Sequence, residues 1–460
     1  MSARVDDTQH PEAPVTSCPF GTFQQSELHP DPYAVYADLR DEYGTVIPIE
    51  LEPGVRAWIV TDYELIISWS RDTATFTHDP RNWEDFREGR IAPDSRLTAL
   101  MAPRPSALFT DGAEHQRYRG AIAEALDAAQ EGDVRAATRR YADGLIDTFC
   151  ERGSADLYFE YARLLPLLVV NELFGLTEDQ GLRFGQAIND LWTGGDPERS
   201  VEESNQTLSE AIAAKRVEPG DDLISRLLQH RSALTDEEVI LQLRVVITIA
   251  LHTTTDLIFS STRLLLSDSP SYAGRALSDA ALGELLDRVL WESPPITNYP
   301  VLYPRTDVPL SGGRTIEAGT PILLGFAAAN HFYRLENAEL LEETHSRAHL
   351  AWGVGPHRCP ARDQALVIAT VAVRTVLDRL PDLALASRPE DLRWLVTNVF
   401  CLPMGLPVRF TEREPAARPD REPDASSPDT PPTAGDGSVL LKRLPSGLLA
   451  RFLGRLLRRP

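Results

Sequence analysis

The stretch that decides the fold reads His349-Leu350-Ala351-Trp352-Gly353-Val354-Gly355-Pro356-His357-Arg358-Cys359-Pro360-Ala361-Arg362. It places a cysteine on a glycine-rich loop, directly before a helical pattern that runs from Arg362 to Leu377. Gly353 and Gly355 allow backbone conformations that other residues avoid, and they let a flat ligand approach closely. We expect Cys359 near the helix N-terminus, where the positive end of the helix dipole favours a thiolate over a thiol. A thiolate in such a loop is suited to bind a metal ion.

The spacing around this cysteine is more specific than a single Gly-x-Gly. A basic residue stands two positions before the cysteine, glycines stand four and six positions before it, and an aromatic stands seven before it. The places are filled by Trp352, Gly353, Gly355, His357 and Cys359. This string resembles the haem-binding loop of the cytochrome P450 family, with tryptophan where phenylalanine is commoner. The resemblance implies haem b, with the Cys359 thiolate as the protein ligand of the iron. The alternative is a buried structural cysteine beside a glycine turn.

Composition and charge exclude several classes of protein. The chain has 460 residues, of which 42% are hydrophobic, enough for a substantial core. Its net charge of −22 argues against nucleic-acid binding, which needs a basic surface. The four cysteines show neither zinc-site spacing nor a disulfide framework, which favours a reducing cytoplasm. The polar N-terminus has no signal peptide, and no apolar run approaches the ~18 residues of a transmembrane helix.

The composition changes along the chain and predicts four regions. Residues 1–27 are polar and are expected to be poorly ordered. Residues 28–411 are expected to form the haem-binding domain. Residues 412–437 are rich in proline and acidic residues, as in a disordered linker. Residues 438–460 combine arginines with leucines at helical spacing, which predicts a basic amphipathic helix that binds a membrane surface or a protein partner. The alternative is a helix packed on its own domain.

The predicted elements are mainly α-helices with a small β region, and the resemblance implies the cytochrome P450 fold. Pro32 is suited to the first position of a helix. The segments 46–49 and 57–60 predict a β-hairpin, and Asp62 is expected to cap the helix that follows. Residues 82–106 form a long polar connection. In the family, the loop at this place covers the substrate pocket.

Three basic side chains match positions that bind haem propionates in the family. His115 and Arg119 are four residues apart and therefore share one helix face. Such a pair of donors suits carboxylates. The match to the family's propionate-binding helix is close, and the resemblance implies His349 as a third contact. A solvated helix face is the alternative for the His115/Arg119 pair.

A capping-box pattern at Thr235 and Glu238 opens a long helix that should end near Leu266. Because the middle of this helix is apolar all round, we expect it to cross the protein interior.

The same helix carries the segment that resembles the oxygen-activating motif of the family, which reads Ala-Gly, any residue, an acid, then Thr. Ala250 matches, and Thr254 takes the place of the threonine, whose implied role is proton relay. Leu251 replaces the glycine and is expected to narrow the oxygen groove, and Thr253 replaces the acid. The alternative is a set of threonines that hydrogen-bond back to the carbonyls of a buried helix.

A further family feature is replaced in this sequence. The segment 279–292 predicts a helix that ends before Pro294. In the family this helix carries a Glu-x-x-Arg ion pair, and here Asp287 and Leu290 occupy the two positions. The chain resembles an actinobacterial branch with the same kind of replacement.

The resemblance therefore predicts a haem-thiolate monooxygenase. It would insert one atom of O2 into a small organic substrate, with electrons from NAD(P)H through a ferredoxin-type donor. The second hypothesis is a haem protein of the same fold that is weakly active or silent and acts as a signalling or auxiliary subunit. Leu251, Thr253 and Leu290 favour this second hypothesis. Localisation in the cytoplasm is expected, with peripheral membrane attachment if the C-terminal helix binds lipid.

Overall fold

The structure is a computed structural model that describes residues 16–17, 32–193, 196–267, 277–344, 346–396, 399 and 401–416. The linker beyond residue 416 and the amphipathic helix predicted over 438–460 lie outside the described residues, as does most of the segment 1–27. Within that segment, Thr16–Ser17 form a short strand that pairs in parallel with Ile49 and Glu50. The sequence had not predicted this pairing.

Helices make up most of the described chain. They are α1 (Pro32–Tyr43), α2 (Tyr63–Arg71), α3 (Glu84–Arg87), α4 (Arg96–Met101), α5 (Gly112–Asp127), α6 (Glu131–Asp147), α7 (Leu164–Phe174), α8 (Glu178–Thr193), α9 (Pro197–Val217), α10 (Leu223–Gln229), α11 (Asp236–Ser267), α12 (Asp279–Glu292), α13 (Phe326–Glu336), α14 (Ala338–Thr344) and α15 (Arg362–Arg379). Short 3-10 turns cover Leu350–Trp352 and Gly355–His357, within the stretch 349–361 that carries Cys359 and that we call the cysteine loop.

The strands are short and form small sheets. They are β1 (Thr16–Ser17), β2 (Val46–Glu52), β3 (Val55–Val60), β4 (Phe76–Thr77), β5 (Ser154–Asp156), β6 (Val301–Pro304), β7 (Val308–Pro309), β8 (Thr315–Ile316), β9 (Ile322–Leu324), β10 (Ala384–Leu385), β11 (Trp394–Val396), β12 (Cys401–Pro403) and β13 (Pro407–Arg409). The largest sheet has the order β1-β2-β3-β9-β6-β4. The predicted fold class, mainly α with a small β region, is confirmed.

Local sequence signals account for the N-terminal elements. β2 and β3 form the predicted antiparallel hairpin, with Val46 opposite Val60. Gly54 at its turn has φ of 83°, a left-handed conformation that glycine adopts without strain. Asp62 caps α2 as predicted, because its Oδ1 accepts the Leu65 N–H at 2.9 Å.

The central helix α11 begins with the predicted capping box. The Thr235 N–H donates to Glu238 Oε2 at 2.8 Å, and the Glu238 N–H donates to Thr235 Oγ1 at 3.2 Å. Among the described helices, α11 is the one long and apolar enough to span a membrane, yet 56% of its most apolar window is buried in the protein. It contributes side chains to two large hydrophobic clusters, one shared with α6, α12 and α15 and the other with α5, α8 and α9. The predicted path through the interior is therefore confirmed.

Candidate functional site

The cysteine loop, α5 and α11 line a cavity, which we call the cysteine cavity. Eight of the residues predicted for the site lie in its wall: His115, Arg119, Ala250, Thr254, Trp352, Gly353, His357 and Cys359. They come from three segments that are far apart in sequence. The remaining two predicted residues, His349 and Gly355, are not part of this wall.

The loop geometry explains its two glycines. The Cys359 N–H donates to the Trp352 carbonyl at 2.7 Å, which closes the loop. Gly353 and Gly355 have φ of 68° and 72°, the left-handed region predicted for them. A Cβ atom on residue 355 would lie only 2.6 Å from the carbonyl oxygen of Ser70 in α2. Gly355 therefore allows the loop to pack on α2, whereas Gly353 borders the cavity.

The thiol of Cys359 experiences opposing effects. Burial raises its pKa, while a backbone hydrogen bond from Ala361 and the positive charges of Arg119 and Arg358 lower it. Because burial outweighs the others, the pKa lies above the ordinary value of a thiol. Burial therefore opposes the thiolate, whereas the Ala361 hydrogen bond and the two arginines favour it.

Two buried donors face the cavity without partners. Among the described residues, nothing accepts from or donates to His115 Nε2 or Arg119 Nε. The Arg119 Nη2 donates to the Arg358 carbonyl at 3.1 Å, which ties α5 to the cysteine loop. Buried polar atoms are rarely left unsatisfied. A carboxylate-bearing ligand in the cavity would satisfy both, so these residues fit haem propionates.

A cluster of histidines around Asp111 supports this side of the cavity. The His357 ring stacks between those of His78 and His115, with centroids 3.6 and 4.1 Å away. The His357 Nε2 lies 3.0 Å from Asp111 Oδ1, and Asp111 Oδ2 accepts the His78 N–H at 2.8 Å. Sequence reasoning had missed His78 and Asp111. Asp111 could have been found from its place as the N-cap residue directly before α5. No sequence pattern indicated His78.

The ionisation of this cluster follows from burial and from the hydrogen bonds. Burial, together with the smaller effect of the neighbouring His357, lowers the pKa of His115 to about 4. Burial and the neighbouring His78 likewise lower the pKa of His357 to about 4. Burial acts to raise the pKa of Asp111, but hydrogen bonds from His357, His78 and Thr77 outweigh it and hold that pKa well below its usual range. Near neutral pH His115 and His357 are therefore uncharged beside the ionised carboxylate of Asp111.

Helix α11 forms one wall of the cavity with Ala250, Thr253, Thr254 and Leu257, the one-face spacing of an α-helix. The Thr253 hydroxyl donates back to the Ile249 carbonyl at 2.9 Å. Leu251 packs instead in the cluster shared with α5, α8 and α9 and is only 9% exposed. The expectation that Leu251 narrows the oxygen groove is therefore not met, because its side chain points away from the cavity.

His349 stabilises the segment that leads into the cysteine loop. It is buried, its Nε2 lies 3.9 Å from Asp287 Oδ1, and its ring meets Trp291 edge-on. Asp287 also pairs with Arg347, with Nε and Oδ2 2.8 Å apart. Leu290, which the sequence predicts to replace the family's arginine, lies in the hydrophobic core. These contacts attach α12 to the segment that leads into the loop. His349 is not part of the cavity wall, and its buried Nδ1 has no hydrogen-bond partner among the described residues.

Asn330 in α13 joins the same two segments. Its side chain is fully buried; Nδ2 donates to the Leu290 carbonyl at 3.2 Å, and Oδ1 accepts the Leu350 N–H at 2.9 Å. The amide thus links the end of α12 to the start of the cysteine loop. The sequence had no pattern that indicated this role.

Comparison with known proteins agrees with this architecture. No protein-family model matches the chain. The chain is 30% identical over 389 residues to cytochrome P450 107B1 of Saccharopolyspora erythraea, covering 81% of this chain and 94% of the relative. It is 28% identical over 401 residues to the cytochrome P450 monooxygenase PikC of Streptomyces venezuelae, covering 84% and 93%. The structure of CYP154A1 from Streptomyces coelicolor superposes with a TM-score of 0.74 at 27% identity, covering 86% of this chain and all of that one.

A mainly helical fold in which a cysteine loop borders a cavity with buried, unpaired donors is the arrangement expected of the haem-thiolate proteins. The chain belongs to the cytochrome P450 family. It is a cytochrome P450 monooxygenase, an oxidoreductase whose family carries haem bound through a cysteine thiolate. The resemblance to the branch without the Glu-x-x-Arg pair stays a prediction.

Proposed function

We propose that the protein binds haem b through Cys359 and inserts one atom of O2 into a small organic substrate, with electrons from NAD(P)H through a ferredoxin-type donor. The observation that carries this proposal is the cysteine cavity, in which Cys359 lies with the buried donors His115 Nε2 and Arg119 Nε. The reducing cytoplasm is the proposed location, supported by the free thiols of Cys150 and Cys359.

Different residues of the chain would hold different parts of the cofactor. His115, Arg119 and His357 would bind the propionates, and Trp352 and Gly353 would border the ring near the thiolate. His349 was predicted as a further propionate contact, but its packing on Trp291 supports a role behind the loop. Haem iron with a thiolate ligand supplies oxygen activation, because the sulfur donates electron density that favours O–O cleavage.

Thr254 is the residue we assign to proton delivery. It is 3% exposed and lies with Ala250 in the wall that α11 gives to the cavity. A hydroxyl can both accept and donate a hydrogen bond, so it can pass a proton without changing its own charge. Thr253 is less suited, because its hydroxyl is engaged by the Ile249 carbonyl.

The spectrum of the reduced protein with CO tests the cofactor assignment. A thiolate opposite CO shifts the Soret band far to the red of that of a histidine-ligated haem. We expect Cys359→Ala to abolish this band. The matched control is Cys150→Ala, which removes the other described free thiol, buried in the core, and should leave the band unchanged. Persistence of the band in Cys359→Ala would refute the assignment of the ligand.

The second candidate, a weakly active haem protein, is favoured by Thr253. A hydroxyl bound to a helix carbonyl cannot replace a positioned acid, and losing such an acid typically costs about 10²–10⁴-fold in rate. This candidate predicts that most NADPH consumed with surrogate donors is lost to peroxide, and that Thr253→Asp improves coupling. If the wild type couples NADPH consumption efficiently to substrate oxidation, the second candidate is excluded and the active monooxygenase remains.

A further inference from the structure

A second cavity adjoins the cysteine cavity, and we call it the arginine cavity. The two share wall residues, among them Val245 and Ile249 of α11 and Tyr299. The wall of the arginine cavity is mostly aliphatic and comes from α4, α8, α9, α11 and β6. Such a space accommodates the apolar body of an organic molecule that extends towards Cys359.

Arg244 is one of the few polar residues in this mostly apolar wall. It is 9% exposed and its Nη1 donates to Asn205 Oδ1 at 2.9 Å. Within the described part of the chain, no carboxylate forms an ion pair with it, and no acid contributes to its pKa, which burial and the charge of Arg104 lower to about 10. It therefore stays charged at neutral pH.

Other arginines in this acidic chain show how unusual that is. Arg117 pairs with Glu238 at the start of the same helix, with Nη1 and Oε1 2.6 Å apart. Arg379 pairs with both Asp143 and Asp147. A buried charge is costly unless it is paired. The site of Arg244 thus has a positive charge that a bound anion would compensate.

Two further groups strengthen the anion site. Arg104 lies in the same wall; its Nη2 donates to the Thr98 carbonyl at 2.9 Å, so it adds positive charge at a fixed position. Thr248 follows Arg244 by one helical turn and also borders the cavity. Its hydroxyl is buried and has no hydrogen-bond partner among the described residues. A guanidinium and an unused hydroxyl therefore stand side by side on one face of α11.

We propose that the arginine cavity binds the carboxylate of an amphipathic organic acid through Arg244 and Thr248, and that the apolar end of this acid is the part oxidised near Thr254. This inference rests on the proposed function. The planar fork of a guanidinium matches the two oxygens of a carboxylate. From Arg244 to Ala250 and Thr254 the rise of the helix is about 9–15 Å. The oxidised carbon is thus remote from the carboxylate.

Calorimetric titration of the haem-loaded protein tests the inference with four probes that share one apolar chain: dodecanoate, dodecanol, methyl dodecanoate and dodecyl phosphate. We expect dodecanoate to bind at least ~10-fold tighter than the alcohol and the ester, and tighter than the phosphate. Arg244→Met should weaken dodecanoate at least ~10-fold and leave dodecanol within about twofold. Arg135→Met, a half-exposed arginine of α6 paired with Glu131, is the matched control and should change neither.

The wild-type comparison needs no variant, so it decides the question even if Arg244→Met does not fold. Equal affinity for the acid and the alcohol would overturn the inference. Tighter binding of the phosphate would also overturn it, by replacing the carboxylate with another anion. The red-shifted band of the reduced CO complex is recorded on the same sample. Its absence would count against the proposed function, whereas its presence with no preference for the acid would count against the arginine cavity alone.

Discussion

Replacing Gly355 by alanine tests whether the cysteine loop packs on α2 as described. Residue 355 has φ of 72°, and a Cβ atom there would lie 2.6 Å from the Ser70 carbonyl oxygen. A left-handed conformation costs an L-residue about 1–2 kcal/mol, and overpacking against a rigid backbone costs about 1–3 kcal/mol more. We therefore expect Gly355→Ala to lower the free energy of unfolding by about 2–5 kcal/mol.

Alanine variants at two other glycines separate the cost of the left-handed conformation from the cost of overpacking. Gly89 has φ of 68°, and no neighbouring atom of the described residues lies within 4 Å of the position that an added methyl would take, so alanine there should cost only the left-handed contribution of about 1–2 kcal/mol. Gly353 also has φ of 68°, and its added methyl would meet the His357 carbonyl oxygen at an ordinary 3.6 Å. The predicted order of destabilisation is Gly355 above Gly353 and Gly89, which should be similar.

Urea unfolding of the haem-loaded protein, followed by far-ultraviolet circular dichroism, measures the three variants against the wild type. Soret absorbance on the same samples reports haem occupancy. We expect occupancy to fall most in Gly355→Ala, because the displaced loop also carries Cys359. If Gly355→Ala unfolds at the same urea concentration as Gly89→Ala, the loop does not contact α2 in this way and the reasoning is refuted.

Three further outcomes follow from the described contacts. The hydrogen bond from Arg117 lowers the pKa of Glu238 to about 2. The stability that this carboxylate contributes is therefore present above about pH 4.5 and is lost as the pH falls towards 2. Glu238→Gln should flatten that decline in thermal unfolding scans. Asn330→Ala removes two buried hydrogen bonds and should cost about 2–4 kcal/mol in urea unfolding, against less than about 1 kcal/mol for the less buried Asn337→Ala; equal costs would contradict the bridging role of Asn330. Leu251→Ala should cost about 2–5 kcal/mol through a core cavity while the reduced CO spectrum stays unchanged, and a shifted spectrum would place this side chain in the cysteine cavity after all.

Several parts of the site could be predicted because their signals are local. The glycines of the cysteine loop, the capping box of α11 and the cap of α2 each depend on residues within a few positions of one another. The prediction that Leu251 narrows the oxygen groove was wrong, although helical periodicity could have indicated this from the sequence. It stands about 100° around the helix from Ala250, whereas Thr253 and Thr254 return to the face of Ala250.

By itself, the sequence determined several elements, the loop around Cys359 and the family that the loop resembles, because backbone conformation and helix periodicity depend on near neighbours. Only the tertiary structure decided which side chains share a cavity. It turned His349 towards Asp287, stacked His78 on His357, and brought Arg104 beside Arg244 although 140 residues separate them in the chain. These contacts depend on how helices pack across the core, and the sequence pattern of each helix alone leaves that packing open.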